Sequence, residues 1–269
     1  MTTTTPPATT TRPAPPYRIT PTRVLRSEWH KLRSLRSTWI TLTTAAALVL
    51  GVGLIMGGTY TSSGGDSDVD IVVLTLYGSL LGQLCVIVLG ILVTAGEYAT
   101  GMIRSSLTAV PTRLPVLWAK AAVFTATVLT VMSATALTTF AAAQLFLHDT
   151  DQAASLTDPG VLLALAGNAV GITLLSLIAL GLGSLLRSVP GAIGAFIGGV
   201  MILPEVLGML PYETVERALT YFPTQAAGAL GSATPIPGTA APGPALLALC
   251  LWAAATLAAA ALSLRHRDA

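Results

Sequence analysis

Ionisable side chains inside long apolar stretches are the residues of this chain best placed to do chemistry. Glu97 ends one apolar stretch, Lys120 opens the next, and Glu205 follows Pro204 within a later one. A charge at the centre of a membrane helix costs about 2.5 to 3.5 kcal/mol, so such a residue marks an ion or substrate path unless it reaches the headgroups. Pro204 would also free a backbone carbonyl and kink its helix. Pro204 and Glu205 are therefore outer gate candidates, with an interfacial carboxylate as the alternative for Glu205.

Sequence motifs for catalysis and cofactor binding are absent. The chain has no G-x-x-x-x-G-K-[ST] run, no H-E-x-x-H, no metal-spaced Cys/His cluster and no G-x-S-x-G serine elbow. Cys85 and Cys250 are single cysteines inside apolar stretches, where a thiol acts as a small packing group. We expect a protein that is not an enzyme and holds no cofactor or metal. Energy for any transport would come from a separate partner.

Six apolar stretches are each long enough to cross a bilayer, which takes roughly 20 mostly apolar residues in a helix. The composition agrees, because 53% of the residues are hydrophobic and 10% are charged, whereas soluble domains carry roughly 25% charged residues. The predicted fold class is an all-α membrane protein with six transmembrane helices. The predicted spans are 38–60, 72–96, 121–147, 161–186, 189–210 and 245–264.

The basic residues orient these spans. Thirteen of the 14 Lys and Arg residues fall on one side of the threaded chain, and only Arg217 falls on the other, where acidic residues collect. Positive residues mark the cytoplasmic side of membrane proteins. We therefore expect both termini to be cytoplasmic, in a multi-pass protein of the cell inner (plasma) membrane. The same residues are topology signals, so we expect no nucleic acid partner.

The segment ahead of the first span has two parts. Residues 1–21 are rich in Thr and Pro and predict a disordered cytoplasmic tail. Residues 22–37 place apolar and basic residues on opposite helical faces, which predicts an amphipathic interfacial helix in the cytoplasmic headgroup layer of the lipid bilayer. This helix is either a membrane-surface spacer or also contacts a cytoplasmic partner. Its apolar face comprises Leu25, Trp29 and Leu32, with Val24, Glu28 and Leu35 on the flank, and Lys31 and Arg33 supply part of its charge.

The last outer connection, 211–244, is long enough to hold structure of its own. Pro211 could begin a helix that runs to Tyr221, and Pro223 would restart the chain. We expect short helices there that lie on the outer leaflet or re-enter it.

Glycine pairs four residues apart occur in three spans and let helix backbones approach closely. They predict tight packing within the bundle or at a dimer seam. The pairs are Gly78 and Gly82, Gly167 and Gly171, and Gly194 and Gly198.

Three segments resemble a known family in their motifs and order. Residues 97–113 read E-Y-A-T-G-M-I-R and later P-T-R, similar to the cytoplasmic loop between the second and third spans of type 2 ABC transporter permeases, with its pattern E-Y-x-x-G-x-I-R and P-x-R. Residues 25–34 resemble the L-x-S-E-x-x-K-L-R-S helix common in actinobacterial members. Residues 221–228 resemble the Y-L-P-S-N-A-G segment ahead of their last span.

The resemblance implies one permease of an exporter, in which two six-span permeases, identical or homologous, pair around a path. Each permease sits on a separate cytoplasmic ABC ATPase subunit, which holds the ATP and Mg. The coupling loop to the ATPase would be 97–120. Glu97 and Arg104 would be solvent-side charges that pair with the ATPase, and Gly101 would permit a sharp turn. Arg113 would be a further coupling residue. The alternative is that Glu97 merely ends its span and the basic residues obey the positive-inside rule.

Function therefore has three alternatives. The first is an exporter permease for an amphipathic or hydrophobic substrate, because the spans carry few charges. The second is a non-transporting membrane immunity or assembly protein. The third is an ion-coupled secondary transporter. The sequence argues against it, because it has no internal repeat and no carboxylate at mid-membrane depth.

Overall fold

The computed structural model describes residues 20–60, 70–101, 114–151, 153–234 and 237–266. All regular structure within these ranges is helical. The helices are α1 (Pro21–Ser34), α2 (Arg36–Thr59), α3 (Ile71–Thr75), α4 (Ser79–Ala99), α5 (Leu114–Leu147), α6 (Val161–Leu186), α7 (Val189–Phe196), a π-helical segment (Ile197–Ile202), α8 (Leu203–Gly208), α9 (Glu213–Leu219), α10 (Pro223–Leu230) and α11 (Pro242–His266).

Six helical stretches in the described ranges are long and apolar enough to cross a membrane, which confirms the predicted six-span, all-α membrane fold. They are α2, α4, α5, α6, the continuous run Val189–Gly208, and α11. The third is 34 residues long and starts at Leu114, ahead of the predicted 121. The protein is therefore a multi-pass membrane protein by the length and composition of its helices.

The second span is broken, whereas the sequence predicted one helix over 72–96. Helix α3 ends at Thr75, residues 76–78 form a turn, and α4 starts at Ser79. Gly78 lies against α2, where an added Cβ would be 2.8 Å from the carbonyl oxygens of Leu48 and Val49. The break thus falls where the chain approaches the α2 backbone closely, in a stretch without charged residues.

Helix α6 occupies the centre of the bundle. It packs against α4, α5, α7, α10 and α11. In α6, 67% of the apolar 18-residue segment is buried, whereas the corresponding share in the fifth span is 17%. Two of the predicted glycine pairs serve packing inside this chain: Gly82 contacts Val49 of α2, and Gly171 faces Ala227 of α10. Gly194 and Gly198 have no neighbour within 4 Å of an added Cβ.

The fifth span changes its winding immediately before Pro204. The π-helical segment Ile197–Ile202 precedes α8, in which Pro204 is buried. Proline has no N–H to donate and clashes with the carbonyl four residues back, which here belongs to Val200. That carbonyl accepts a hydrogen bond from Thr224 Oγ1 of α10 at 3.4 Å. Thr224 of α10 thus offers a donor to the carbonyl that Pro204 deprives of its α-helical N–H.

Residues 211–234 contain two short helices, and the first is shorter than the predicted run from Pro211 to Tyr221. Helix α9 starts at Glu213, and α10 starts at Pro223 as predicted. Helix α10 packs between α6 and α11. Trp252 Nε1 of α11 donates to the Tyr221 carbonyl at 3.2 Å, about 15 Å along α11 from its start at roughly 1.5 Å per residue. The chain between α9 and α10 therefore lies beside the middle part of α11 and not at the end of that helix.

Candidate functional sites at the two ends of the bundle

The N-terminal helix α1 packs a narrow face against α5. Val24, Glu28 and Leu32 recur every four residues and are all buried. The face predicted from the sequence is split, because Leu32 points inward while Leu25 and Trp29 are 37% and 40% exposed. Sequence reasoning missed the four-residue repeat because it places an acid in the middle of the buried face.

Four charged side chains meet where α1, α4 and α5 come together, and we call them the charge quartet: Glu28, Lys31, Glu97 and Lys120. Lys120 Nζ lies 2.7 Å from Glu97 Oε1 and 2.9 Å from Glu28 Oε2. Lys31 Nζ lies 2.8 Å from Glu28 Oε1 and 3.6 Å from Glu97 Oε1. Each lysine thus contacts both acids, and the formal charges of the quartet sum to zero.

Burial makes these charges depend on each other. The side chains of Glu28, Lys120 and Glu97 are 4%, 7% and 10% exposed, and that of Lys31 is 30% exposed. Burial would raise the pKa of Glu28, but the ammonium of Lys120 and hydrogen bonds from Lys31 outweigh it and hold this pKa below its usual range. Burial would lower the pKa of Lys31, but the two carboxylates outweigh it and raise that pKa. Glu28 and Lys31 are therefore both charged at neutral pH.

The prediction that Glu97 is a solvent-side charge is wrong. Glu97 is 8% exposed, because Lys120 on the next span faces it across the bundle end. Its second carboxylate oxygen, Oε2, is buried and accepts no hydrogen bond among the described residues. One acceptor of the quartet is thus left without a donor.

A cleft of about 280 Å³ adjoins the quartet, between the α1–α2 junction and α4. Its wall is mainly apolar, with Leu32 and Leu35 on one side and Leu92 and Val93 on the other. Glu97 and the other quartet members line its polar end. The cleft therefore joins an apolar wall to a group of buried charges.

The remaining residues of the predicted coupling loop are only partly described. Gly101 has a φ of 72°, in the left-handed region that glycine adopts without steric cost. This agrees with the sharp turn predicted there after the second span. Arg104 and Arg113 lie outside the described residues.

Asp70 joins two distant parts of the chain at the opposite end of the bundle. Its Oδ1 accepts from the backbone N–H groups of Val72 and Val73, at 2.9 and 3.2 Å, and so caps α3. Its Oδ2 accepts from Ser232 Oγ at 3.0 Å and from the N–H and Oγ1 of Thr234 at 2.6 and 2.8 Å. Burial would raise the pKa of Asp70, but the hydrogen bonds from Thr234, Val73 and Ser232 outweigh it and hold this pKa below its usual range.

Asp70→Asn is expected to increase local opening of residues 231–234, after α10, without unfolding the bundle. The amide nitrogen cannot accept the three hydrogen bonds made by Oδ2, and we expect a loss of about 1 to 2 kcal/mol after allowance for partial exposure. Hydrogen exchange should quicken at 231–234 and in α3. Because the folded pKa is lowered, the wild-type bonds contribute fully above the unfolded value of about 3.9 and are lost as pH falls through the folded value. Slow exchange in the Asn variant, or the same acid sensitivity in both proteins, would contradict this role.

A second cavity of about 510 Å³ lies beside α10 and the break in the second span. Gln83, Asn168 and Gln225 line it, together with apolar side chains. Glu205 lies at its edge, where it is exposed and accepts from Gln225 Nε2 at 3.1 Å. The two predicted gate residues thus differ in setting, since Pro204 is buried and Glu205 reaches the cavity.

Comparison with known proteins adds no family. No protein-family model and no curated protein matches this chain. The described residues thus offer two candidate sites: a buried charge quartet at one end of the bundle and a cavity lined by amide side chains at the other.

Proposed function

We propose that this chain is the membrane-spanning permease subunit of an ATP-driven ABC exporter for amphipathic or hydrophobic substrates. Two identical or homologous permeases pair around the path, and a separate cytoplasmic ABC ATPase subunit binds and hydrolyses the ATP. The motifs at 25–34, 97–113 and 221–228 carry the family resemblance. In this proposal both termini are cytoplasmic and the protein resides in the inner (plasma) membrane, because the basic residues favour that orientation.

The charge quartet is the observation that carries this proposal. Glu28 and Lys31 belong to the N-terminal motif, while Glu97 and Lys120 lie at the two ends of the proposed coupling loop. Their buried contacts, 2.7 to 3.6 Å long, tie the N-terminal helix to the second and third spans. A displacement of the loop by the ATPase would therefore move α1, α4 and α5 together. This is a more direct role for Glu97 than contact with the ATPase itself.

The exposed faces of α1 and of the fifth span suit the two other surfaces that the proposal needs. Leu25 and Trp29 are exposed beside basic residues, which favours a position of α1 in the cytoplasmic headgroup layer. The fifth span is the least buried of the six, so its free face is open to lipid or to the second permease. The 510 Å³ cavity beside α10 is the proposed outer part of the path, with Glu205 at its edge.

Affinity purification from gently solubilised membranes, followed by an ATPase assay, tests the proposal. We expect a soluble ATPase to co-purify in stoichiometric amount. Arg104→Glu should lower the stimulated ATPase activity at least fivefold with normal membrane insertion, because it reverses a charge of the proposed coupling loop. Arg217→Glu is the matched control, since Arg217 pairs only with Glu213 among the described residues and belongs to the outer segment. A chain that purifies alone, or equal activity in both variants, would sink the proposal.

A second candidate is an ion-coupled secondary transporter, and the broken second span favours it. Discontinuous helices often form substrate and ion sites in such proteins. Substrate uptake that follows an imposed proton or sodium gradient in vesicles, without ATP, would support this candidate over the exporter.

A further inference from the structure

We propose that the cavity beside α10 binds an organic monocation, an apolar body that carries one ammonium group, with Glu205 as its counter-ion. Binding at this site needs neither an ATPase nor the family resemblance. That the bound cation is also the exported substrate rests on the proposed function.

Glu205 brings a carboxylate without an ion-pair partner to the cavity. Among the described residues the spanning helices carry two acids, Glu97 and Glu205. Glu97 belongs to the neutral charge quartet, whereas Glu205 accepts a single hydrogen bond, from Gln225 Nε2 at 3.1 Å. The cation on the adjoining helix α9, Arg217, pairs with Glu213. A lone charge in a spanning helix is costly, so a cationic ligand supplies what this carboxylate lacks.

The amide side chains of the cavity add acceptors without adding charge. Gln225 uses its amide N–H on Glu205, and its amide oxygen stays open to the cavity. Gln83 lines the cavity with no hydrogen bond from its side chain among the described residues. Both glutamines are half-buried and Glu205 is exposed, so a ligand in the cavity can reach them. A primary ammonium has three N–H donors, which equals the number of these three acceptor groups.

The rest of the wall fits an apolar body. Leu76, Leu80, Ile172 and Met201 line the cavity, and its described lining holds no Lys, Arg or His. Its volume of about 510 Å³ lies in the range of small-molecule sites, roughly 300 to 1,000 Å³. A hard metal ion takes about six to eight oxygen ligands, and no group of three His, Cys, Asp or Glu occurs among the described residues. The cavity therefore favours an organic cation over a metal ion.

Three probes with the same apolar body test the site. They are 4-phenylbutylamine, 4-phenylbutanol and 4-phenylbutyrate, which are cationic, uncharged and anionic at neutral pH. Full-length protein in phosphatidylcholine nanodiscs is dialysed to equilibrium against each probe, and binding to empty nanodiscs is subtracted. We expect saturable binding of the amine with a Kd about tenfold below that of the alcohol, because charge-assisted hydrogen bonds are about twice as strong as neutral ones. No saturable binding of the amine, or equal binding of the butyrate, would overturn the proposal.

Two variants separate the charge from the space. Glu205→Gln should weaken amine binding about tenfold and leave alcohol binding unchanged, because it removes the charge and keeps an oxygen that accepts from Gln225. Glu216→Gln makes the same change in net charge on exposed α9, outside the cavity, and should bind like wild type. Equal binding of the amine by wild type and Glu205→Gln would overturn Glu205 as the counter-ion.

Gly228→Leu fills the cavity and leaves Glu205 intact. Gly228 lines the cavity, and an added Cβ there meets nothing within 4 Å, so the variant should fold. It should weaken the binding of the amine and the alcohol alike. Gly51→Leu of α2, also with nothing within 4 Å, is the matched control. Equal binding by both leucine variants would place the probes elsewhere and overturn the site.

Export is measured separately, as stimulation of the co-purified ATPase by the amine. Binding that prefers the amine, in a chain that purifies without an ATPase, would support the site and overturn the exporter. A co-purifying ATPase without such binding would overturn the site and leave the exporter standing.

Discussion

Lys120→Met is expected to lower the free energy of unfolding by about 3 to 5 kcal/mol, because breaking one member out of a buried ion-pair group leaves uncompensated charge. Lys120 Nζ contacts Glu28 and Glu97 at less than 3 Å. Without it, both buried carboxylates depend on Lys31 alone. Met keeps most of the length and apolar volume of Lys, so the loss reports the charge. Thermal unfolding in detergent should show it as a fall of roughly 10 °C in the midpoint.

Arg217→Met is the control for this prediction. Arg217 pairs with Glu213 at 3.2 Å, but the two side chains are 76% and 81% exposed, and exposed pairs contribute about 0 to 1 kcal/mol. A fall in midpoint as small as that of Arg217→Met would show that the quartet does not stabilise the packing of α1, α4 and α5. In the double variant with Glu97→Met, an apolar pair replaces the ion pair, and part of the lost stability should return.

The number and approximate limits of the spans could be predicted from sequence because hydrophobicity over about 20 residues reports bilayer crossing directly. Pro204 also follows the change of winding in the fifth span, and the loss of an N–H and the clash with the carbonyl four residues back are properties of proline itself. Pro223 likewise marks the start of α10. These features depend on composition or on one residue and its near neighbours.

The charge quartet could not be predicted, because hydropathy says where a helix ends but not how it is rotated about its axis. Glu97 and Lys120 were both placed at the ends of spans, yet nothing in their spacing shows that the side chains face each other. The same uncertainty about rotation misplaced the buried face of α1, where Glu28 lies on the side packed against α5. Polar residues that pair with each other can occupy a buried face that an apolar pattern would assign elsewhere.

Contacts between residues that are distant in sequence could not be predicted either. Asp70 binds Ser232 and Thr234, more than 160 residues away, and an acidic connection between two spans gives no sign of those partners. The break at 76–78 lies where Gly78 approaches α2 closely, a contact that the sequence does not indicate. Glycine pairs predicted close packing but not its partner, which proved to be α2 for Gly82 and α10 for Gly171.

Gly167→Ala is expected to be destabilising by about 1 to 3 kcal/mol or more, because it overpacks a contact between two backbones. An added Cβ at Gly167 would collide with the carbonyl oxygen of Leu230, the last residue of α10, and lie 2.9 Å from its carbonyl carbon. A backbone atom cannot move aside as a flexible side chain can, so α10 must shift away from α6. Hydrogen exchange over 223–231 should quicken, and the thermal midpoint should fall.

Gly194→Ala makes the same chemical change with the opposite expected sign. Gly194 lies in α7, and an added Cβ there meets nothing within 4 Å. Replacing a helical Gly by Ala without a clash stabilises by roughly 0.5 to 1 kcal/mol, because the unfolded chain loses conformational freedom. A fall in the midpoint for Gly167→Ala and a small rise for Gly194→Ala would separate packing from helix propensity. A rise in both would mean that α10 does not rest on α6 at Gly167.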